Sequence, residues 1–354
     1  MVETLQIDYR LVEKSKLEGV DFNNIIFGHV YSDHMFMADF IQGQWNNFKI
    51  EPYDLISFYP GSAVLHYAQS IFEGLKAYKS ETGEVLIFRP DMNLKRMNLS
   101  AKRMCIPEIP EEIFMGGLTE LLKIDKNWVP GLPGTSLYIR PFAFALDEYI
   151  GIRPSDTYKF MIFTCPVGPY YSKPVKVMIE TKYTRAMEGG TGFAKAAGNY
   201  AASLYPAKIA HEKGYDQLIW TDGKEHKYIE EAGTMNVIFL IGDKLVTSET
   251  GDSILKGITR DSVLTLARDF GVEVEERKVS VEEIIDACKS GDLKEAFGAG
   301  TAATIAQIDS IGYQGIDYKL RPVAEREFSH KILKTLDDIR TGRVEDKYGW
   351  VYKL

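Results

Sequence analysis

The sequence predicts a two-domain protein of mixed α and β structure. At 354 residues the chain is long enough for two domains of ordinary size, each with its own core. Short apolar runs typical of strands occur together with helical patterns on both sides of "CPVGPYYSKPVKV", a stretch with closely spaced prolines and a glycine. We therefore expect a smaller N-terminal domain at residues 1–167, an interdomain linker at 168–178 and a larger C-terminal domain at 179–354.

Composition narrows the class of protein further. Forty-two basic and fifty acidic residues give a net charge of -8, which disfavours binding to nucleic acid or to an anionic membrane surface. No apolar run reaches the roughly 18 residues of a membrane span, and the acid-containing start resembles no targeting segment. The three cysteines have no metal-binding or disulfide spacing. We expect a cytoplasmic protein without a metal site.

The N-terminal half combines strands with a helix. "IIFGHVYSDHMFMADF", "VLIFRP" and "TSLYIRPFAFALDE" have the composition of strands, and "LKRMNLSAKRM" after "PDMN" has the spacing of a helix. In the C-terminal half, "KVMIE", "DQLIWTDG" and "KYIEEAG" are predicted strands, and "NVIFLIGDKLVTSE" is a predicted hairpin that turns at Gly242 and Asp243. "TRDSVLTLARDFG" predicts a helix that ends at a glycine, and Ser280 with Glu283 predicts a capping box that starts another helix.

Two glycine-rich stretches invite a nucleotide-binding interpretation. "GGTGFAK" fails the phosphate-loop pattern because Lys195 lies between two alanines. "GAGTAA" at residues 298–303 fits a dinucleotide fingerprint, but it comes late in the chain and no convincing helix follows, so a tight turn is the favoured interpretation. The start of the helix after "LKG" could bind a phosphate through its N–H groups, or Thr259 could simply cap it.

Among the residues of these stretches, Lys195 is the candidate for covalent catalysis. A lysine that bonds covalently to an aldehyde coenzyme needs a desolvated amine, small neighbours that admit a flat ring, and an acid that keeps the ring nitrogen protonated. An ordinary surface lysine is the competing interpretation, and spacing alone does not exclude it.

Long motifs carry a family resemblance over nearly the whole chain. "GGTGFAKAAGNYAAS", "YIEEAGTMNVIF", "ILKGITRDSVL" and "FGAGTAATIAQI" follow "PGSAVLHYAQSIFEGLKAY", "FRPDMNLKRMNLSAKRM" and "LYIRP" in order. Together they closely resemble the branched-chain amino acid aminotransferases of fold type IV, a pyridoxal-phosphate class that includes D-amino acid aminotransferases and aminodeoxychorismate lyases. The resemblance implies a smaller N-terminal α/β domain and a larger, coenzyme-binding C-terminal domain with a barrel-like sheet.

The resemblance also implies which residues bind pyridoxal 5'-phosphate. Lys195 would bind the coenzyme aldehyde and move the substrate proton, and Glu231 would pair with the ring nitrogen. Glu230 is the competing acid, since adjacent strand residues face opposite sides. The other implied coenzyme residues are Tyr200 at the ring oxygen, Leu255 on the ring face, and Arg96, Gly257, Ile258, Thr259 and Thr301 at the phosphate.

The implied substrate site is apolar with one cation. Arg140 would bind the γ-carboxylate of glutamate, and Thr234 and Ala302 would lie near the α-carboxylate. Ordinary core packing is the rival interpretation for each aromatic residue of this site. The remaining residues of the implied pocket are Tyr67, Phe72, Tyr138, Ile152 and Tyr170.

The resemblance predicts a homodimeric transaminase. It would exchange the amino group between leucine, isoleucine or valine and 2-oxoglutarate, giving branched-chain 2-oxo acids and glutamate. Ala303 and Ala306 occupy the positions at which mammalian-type relatives carry a C-x-x-C pair, so a thiol switch is not expected. The rivals are a D-amino acid aminotransferase or lyase of the same fold, an NAD-dependent dehydrogenase built on "GAGTAA", and a non-catalytic scaffold.

Overall fold

The computed structural model describes residues 5–171 and 173–354. Contacts divide the chain into two units, which we call the first and the second unit. Of the described residues, the first unit contains 5–170, 194–198 and 338–354, and the second contains 171, 173–193 and 199–337. Residues 1–4 at the chain start and Ser172 in the predicted linker lie outside the described residues.

The first unit is built on one nine-stranded sheet. Its strands are β1 (Asp8–Tyr9), β2 (His34–Ile41), β3 (Gln44–Pro52), β4 (Ser70–Phe72), β5 (Leu75–Lys79), β6 (Val85–Phe88), β7 (Ser136–Ala145), β8 (Tyr158–Val167) and β19 (Val351–Lys353). They run in the order β1-β3-β2-β8-β7-β5-β6-β19, with β4 paired to β7. The helices are α1 (Ala63–Tyr67), α2 (Pro90–Arg103) and α3 (Glu111–Ile124), and short 3-10 helices occupy Lys16–Gly19 and Lys126–Trp128.

The core of the first unit lies between the sheet and helices α2 and α3. Phe36, Phe114 and Phe160 are fully buried in it, and Phe114 stacks on Phe160 with 6.0 Å between ring centroids. The buried face of α3 is apolar, whereas that of α2 combines apolar residues with Asn93, Arg96 and Ser100. The helix predicted from the spacing of this stretch is confirmed as α2. This shared core holds the inner face of α2 against the sheet.

The second unit contains a closed barrel. Its strands are β9 (Val175–Ile179), β10 (Gln217–Thr221), β11 (Tyr228–Ala232), β12 (Met235–Ile241), β13 (Lys244–Thr247), β14 (Glu273–Glu276), β15 (Val279–Ser280), β16 (Leu293–Gly300), β17 (Thr304–Tyr313) and β18 (Ile316–Lys319). Because β11 pairs with both β10 and β12, six strands close in the order β12-β16-β17-β9-β10-β11. The barrel-like sheet expected from the resemblance is confirmed.

Four helices accompany the barrel strands in the chain. They are α4 (Ala197–Glu212), α5 (Ile258–Asp269), α6 (Val281–Ser290) and α7 (Phe328–Arg340), together with a 3-10 turn at Val323–Glu325. The first two residues of α4 and the last three of α7 belong to the first unit. The buried residues of α6 include Ile284 and Ile285, which join the barrel core.

Local signals placed several of these elements correctly. The hairpin of β12 and β13 turns at Gly242, whose φ of 57° is a left-handed conformation. Ser280 caps α6 by accepting a hydrogen bond from the Glu283 N–H at 3.1 Å, while the Glu283 carboxylate binds Arg277. The predicted cap at Ser280 is therefore confirmed. The Glu283 carboxylate forms an ion pair with Arg277 instead of the second hydrogen bond of a capping box.

Strand β2 starts later than the apolar run suggested. The sequence predicted a strand through residues 25–40, but β2 begins at His34. Asp33 accepts hydrogen bonds from the Lys16 N–H at 2.9 Å and the Trp128 indole N–H at 2.8 Å. Backbone hydrogen bonds to the neighbouring strands extend slightly beyond this start, because the Ser32 N–H donates to the Thr164 carbonyl at 2.9 Å and the Tyr53 N–H donates to the Asp33 carbonyl at 2.8 Å. Before them, Gly28 lies in a left-handed turn.

Two segments lie in a unit other than the one that sequence order suggests. Residues 194–198 and 338–354 belong to the first unit, although both follow the predicted linker. Strand β19 pairs with β6, and the Arg89 N–H donates to the Trp350 carbonyl at 2.7 Å. The boundaries at 167 and 178 remain a prediction.

In the described part of the chain, no helix combines the length and apolar character that crossing a membrane requires.

Candidate active site

Lys195 lies on the short segment of the second half of the chain that belongs to the first unit. Its N–H donates to the Ser100 hydroxyl of α2 at 2.9 Å, and its carbonyl accepts from the Phe72 N–H of β4 at 3.0 Å. Ala194 and Ala196 are each only 1% exposed. The small neighbours of the lysine are therefore buried where larger side chains would disturb the packing, and the backbone of the lysine is fixed on both sides. Its amine lies 4.9 Å from the centre of the Phe72 ring.

Arg96 forms a buried ion pair with Glu73. Arg96 Nε donates to Oε1 of Glu73 at 2.7 Å and Nη2 donates to Oε2 at 2.8 Å. Asn93 also donates to Oε2 at 2.7 Å, and the Glu73 side chain has no exposed surface. Although burial alone would raise the pKa of Glu73, the charge and hydrogen bonds of Arg96, with the charge of Lys195, hold that pKa below its ordinary value.

Sequence reasoning missed Glu73. The residue stands in the apolar run "SIFEGLKAY", and an acid inside such a run is the signal that could have found it, because a buried carboxylate requires a partner. The sequence does not show that this partner is Arg96, 23 positions further along the chain.

Aromatic rings and one arginine form a cluster in the first unit. Arg140 lies over the Phe72 ring, 4.6 Å from its centre, and donates a hydrogen bond to the Tyr138 hydroxyl at 3.1 Å. Phe27 contacts the rings of both Tyr138 and Tyr170 edge-on, at 5.1 Å and 5.0 Å between centroids. The structure thus brings together four of the predicted substrate residues and adds Phe27, which sequence reasoning did not select.

A close approach of backbone to ring explains one glycine of this cluster. A Cβ at Gly74 would lie 2.0 Å from the Tyr138 hydroxyl oxygen. Only a residue without a side chain leaves the ring in place, so the glycine of "FEG" is required by packing.

Two predicted substrate residues lie at the surface of the first unit. Tyr67 is 37% exposed and Ile152 is 95% exposed. They belong to two segments, residues 55–67, which include helix α1, and residues 148–152, and the bridge between Ser62 and Glu148 joins these segments. Other exposed apolar side chains in these segments are Leu55, Phe58, Tyr59, Leu65, Tyr149 and Ile150, and we call the whole set the apolar surface patch.

In the second unit, an ion pair and hydrogen bonds hold Glu231 of β11. Its Oε2 lies 3.0 Å from Arg185 Nε in an ion pair, and its Oε1 accepts the Leu255 N–H at 2.8 Å. Asn236 donates to Oε1 at 3.4 Å and to the Leu255 carbonyl at 2.9 Å. Glu231 is 4% exposed, so a carboxylate at this position is buried and paired.

The neighbouring acid has a different environment. Glu230 accepts a hydrogen bond from the Ser253 hydroxyl through Oε1, and its buried Oε2 has no hydrogen-bond partner among the described residues. Burial raises the pKa of Glu230, against the hydrogen bond from Ser253 and the charge of Arg185. Of the two acids, Glu231 is therefore the one in direct contact with a cation.

Helix α5 begins beside Glu231. Gly257 caps the helix without a side-chain hydrogen bond, and its Cβ, if present, would lie 1.9 Å from the Asn236 amide oxygen. Thr259 is the second residue of the helix and is buried, so the alternative in which Thr259 caps α5 is wrong. A helix start preceded by glycine presents N–H groups and a positive dipole end to an anion.

Two turns that contain predicted site residues lie at the same end of the barrel. The start of β12 pairs with the end of β16 through Asn236 and Ala299, so the turn with Thr234 and the turn after Gly300 share that end. Thr301 and Ala302 lie in the second of these turns and are half-buried. Tyr200 lies on α4 and is also half-buried.

The stretch "GAGTAA" is a hairpin turn. Strand β16 leads through residues 301–303 into β17, which runs antiparallel to it with Gly300 opposite Thr304. A dinucleotide fingerprint needs a helix after the turn. The dehydrogenase alternative is therefore wrong, and the tight turn predicted for this stretch is confirmed.

Comparison with protein families assigns the chain. The family model described as "Amino-transferase class IV" matches residues 70–311. The chain belongs to this family. Class IV aminotransferases use pyridoxal phosphate, so the chain is a pyridoxal-phosphate-dependent transaminase with the fold type IV architecture.

Known relatives of the same family match nearly the whole chain. Branched-chain-amino-acid aminotransferase 2 of Bacillus subtilis (strain 168) is 45% identical, over 99% of this chain and 97% of its own length. The branched-chain aminotransferase of Thermoproteus uzoniensis, solved with norvaline, is 26% identical with a TM-score of 0.73, covering 90% of this chain and 99% of that one. The branched-chain amino acid aminotransferase from Escherichia coli is 26% identical with a TM-score of 0.71, covering 90% of this chain and 98% of that one.

The residues present suit the coenzyme of the family. Pyridoxal phosphate offers an aldehyde, a phosphate and a ring nitrogen, which call for an amine, anion-binding groups and a carboxylate. Lys195 is an amine on a fixed backbone, Arg96 is a buried guanidinium, and α5 starts at a glycine where a Cβ would not fit. Glu231 is a buried, ion-paired acid. Each chemical group of the coenzyme therefore has a counterpart in this chain.

Proposed function

We propose that this aminotransferase exchanges the amino group between branched-chain L-amino acids and 2-oxoglutarate. Leucine, isoleucine and valine would yield their 2-oxo acids, and 2-oxoglutarate would become glutamate. The observation that supports this most is a cluster in which Arg140 contacts Phe72 and Tyr138. Phe27 joins the Tyr138 ring of this cluster to the Tyr170 ring. Aromatic walls suit a branched apolar side chain, and one guanidinium suits the γ-carboxylate of glutamate.

The same residues of the chain would act on the coenzyme and on the proton at the substrate Cα. Lys195 would hold the coenzyme through its aldehyde, and the lysine amine would take up and return the proton at the substrate Cα. When bound, pyridoxal phosphate would supply a conjugated ring that draws electrons from Cα. Glu231 would keep the ring nitrogen protonated, and Tyr200 would donate a hydrogen bond to the ring oxygen. Leu255 would pack on the ring, and the residues that would hold the phosphate are Arg96, Gly257, Ile258, Thr259 and Thr301.

The proposed substrate residues have three tasks. Thr234 and the Ala302 backbone hold the α-carboxylate, and Arg140 holds the γ-carboxylate of glutamate. Phe72, Tyr138 and Tyr170 contact the apolar side chain. Tyr67 and Ile152 contribute to the entrance.

A homodimer is part of the proposal. The apolar surface patch includes side chains as exposed as Leu55 at 93%, Ile150 at 73% and Ile152 at 95%. Clustered exposed apolar residues mark interaction surfaces in soluble proteins. A second copy of the chain would cover the patch and complete the active-site entrance around Tyr67 and Ile152.

We also propose a cytoplasmic location. Cys105, Cys165 and Cys288 are all free thiols, as expected for a protein of a reducing compartment.

The visible absorption spectrum of the purified holoenzyme tests the reaction directly. Addition of L-leucine should bleach the coenzyme band, and subsequent addition of 2-oxoglutarate should restore it. A protein that is bleached by D-amino acids but not by leucine would assign the chain to a D-amino acid aminotransferase instead. A protein that stays colourless with added pyridoxal phosphate would contradict the proposal as a whole.

Two variants assign roles within that experiment. Lys195→Ala should abolish turnover with both substrates, because no other group would bind the aldehyde and move the proton. Arg140→Met should retain bleaching by leucine and lose most of the response to 2-oxoglutarate. An equal loss of the absorption response to leucine and to 2-oxoglutarate would contradict the proposed binding of the γ-carboxylate by Arg140.

A further inference from the structure

Arg185 is a buried arginine next to the proposed ring-nitrogen acid. Only 9% of its side chain is exposed, and its Nε lies 3.0 Å from Oε2 of Glu231. This contact is an ion pair without the geometry of a hydrogen bond. Arg185 therefore acts on Glu231 mainly through electrostatic attraction.

The same guanidinium joins two loops of the second unit. Its Nη2 donates to the carbonyl of Ser253 and to the carbonyl of Gly192 at 3.3 Å. The Phe193 N–H donates to the Asp252 carbonyl at 2.9 Å, so the loop of residues 189–193 lies along the loop of residues 252–255. One side chain thus contacts the strand of Glu231, the loop before Lys195 and the loop before α5.

Small residues make this convergence possible. A Cβ at Gly192 would lie 2.5 Å from the Ser253 carbonyl oxygen and 2.6 Å from its Cα. Glycine at this position lets the two backbones approach while the arginine spans them. Gly192 of the glycine-rich stretch before the lysine is therefore explained by loop packing at Arg185.

Two acidic residues and one cation determine the electrostatic environment of Glu231. Glu230 is adjacent on β11, and Asp222 at the end of β10 contributes to the negative potential at Glu230. Arg185 supplies the cation. The contact from β12 is the neutral Asn236 amide, and the contact from the loop before α5 is the neutral Leu255 N–H. Two neighbouring carboxylates repel each other, and a cation favours the charged form of the carboxylate beside it.

We infer that Arg185 is a positioning residue that keeps the Glu231 carboxylate ionised and fixed for the coenzyme ring nitrogen. The inference rests on the proposed role of Glu231. Arg185 acts through this acid, and it touches neither the coenzyme nor the substrate in this role. A negative carboxylate is what retains a proton on a pyridine nitrogen, so loss of the cation should weaken that contact first at acidic pH.

The test compares Arg185→Met, Arg185→Lys and Glu231→Gln, alone and combined. The readouts are the pH dependence of pyridoxal phosphate binding by the apoenzyme, followed by absorption, and the pH profile of kcat/KM. Arg185→Met should weaken coenzyme binding about tenfold and move the acidic limb of both profiles up by about one pH unit. Arg185→Lys should recover most of that shift because it keeps the charge.

The double variant decides between a positioning role and a structural one. If Arg185 acts through Glu231, adding Arg185→Met to Glu231→Gln should cost little more than Glu231→Gln alone. Additive losses, or a lowered unfolding temperature without a shift of the acidic limb, would overturn the inference. Arg277→Met, which removes a surface arginine paired with Glu283 at 2.6 Å, is the matched control and should leave both profiles unchanged.

The controls separate failure of the inference from failure of the proposed function. A severe loss in Glu231→Gln with no effect of Arg185→Met would overturn the inference and leave the role of Glu231 intact. Full coenzyme binding and activity in Glu231→Gln would overturn both.

Discussion

Removal of the charge at Glu73 should destabilise the first unit strongly, although the residue does no chemistry in the proposed reaction. The substitution Glu73→Gln preserves the shape of the side chain but leaves the buried guanidinium of Arg96 without its counter-charge. The carboxylate now accepts charged hydrogen bonds at 2.7 Å and 2.8 Å from Arg96 and a third bond at 2.7 Å from Asn93. Loss of one partner of such a buried pair costs about 3–5 kcal/mol.

Urea unfolding of the coenzyme-free protein would measure this cost. Three of the four tryptophans, Trp45, Trp128 and Trp350, belong to the first unit, so fluorescence follows mainly that unit. A Glu73→Leu/Arg96→Met double variant removes both charges and should be more stable than Glu73→Gln, because no unpaired ion remains. A loss below about 1 kcal/mol in Glu73→Gln, or a double variant as unstable as the single one, would refute this account.

The same pair predicts the pH dependence of stability. The pKa of Glu73 in the folded protein lies below its ordinary value near 4.5. The ion pair therefore stabilises the folded state at pH values above 4.5, and this contribution is lost as the pH falls through the lower folded-state pKa. The difference in unfolding free energy between wild type and Glu73→Gln should shrink over that acidic range.

Three further substitutions test other parts of the second unit. Glu231→Gln should reduce kcat/KM far more than Glu230→Gln, since only the former removes an ion-paired carboxylate, and equal losses would show that the choice of acid is wrong. Gly257→Ala places a Cβ 1.9 Å from a side-chain oxygen of β12, so coenzyme affinity should fall, whereas Gly251→Ala, with open space around its Cβ, should bind coenzyme normally. Ser280→Ala should lower stability by about 1 kcal/mol through loss of the helix cap, with kcat unchanged; a drop in kcat would contradict a purely structural role.

Local rules predicted the elements whose causes are local. The cap at Ser280, the turn at Gly242 and the helix that ends before Gly271 each depend on residues within a few positions of one another. The start of β2 did not follow from its apolar run, because that run includes a left-handed turn at Gly28 that its apolar composition does not show.

The charge pairs of the candidate site could not be predicted in this way. Glu73 meets Arg96 across 23 positions, and Arg185 meets Glu231 across 46 positions of intervening chain. The sequence shows that these residues exist, but their pairing depends on how strands and loops pack. The motifs identified Lys195, Arg96 and Glu231 through family resemblance, whereas their buried partners became visible only in the folded structure.

The assignment of residues 338–354 to the first unit bears on how the protein is made. The edge of the first sheet is completed by β19, which pairs with β6 through Tyr352 and Ile87. A nascent chain that folds from its N-terminus would leave β6 without this edge partner until β19 has been synthesised. An unpaired edge strand recruits other chains. Early termination of synthesis anywhere before β19 should therefore give aggregation-prone fragments.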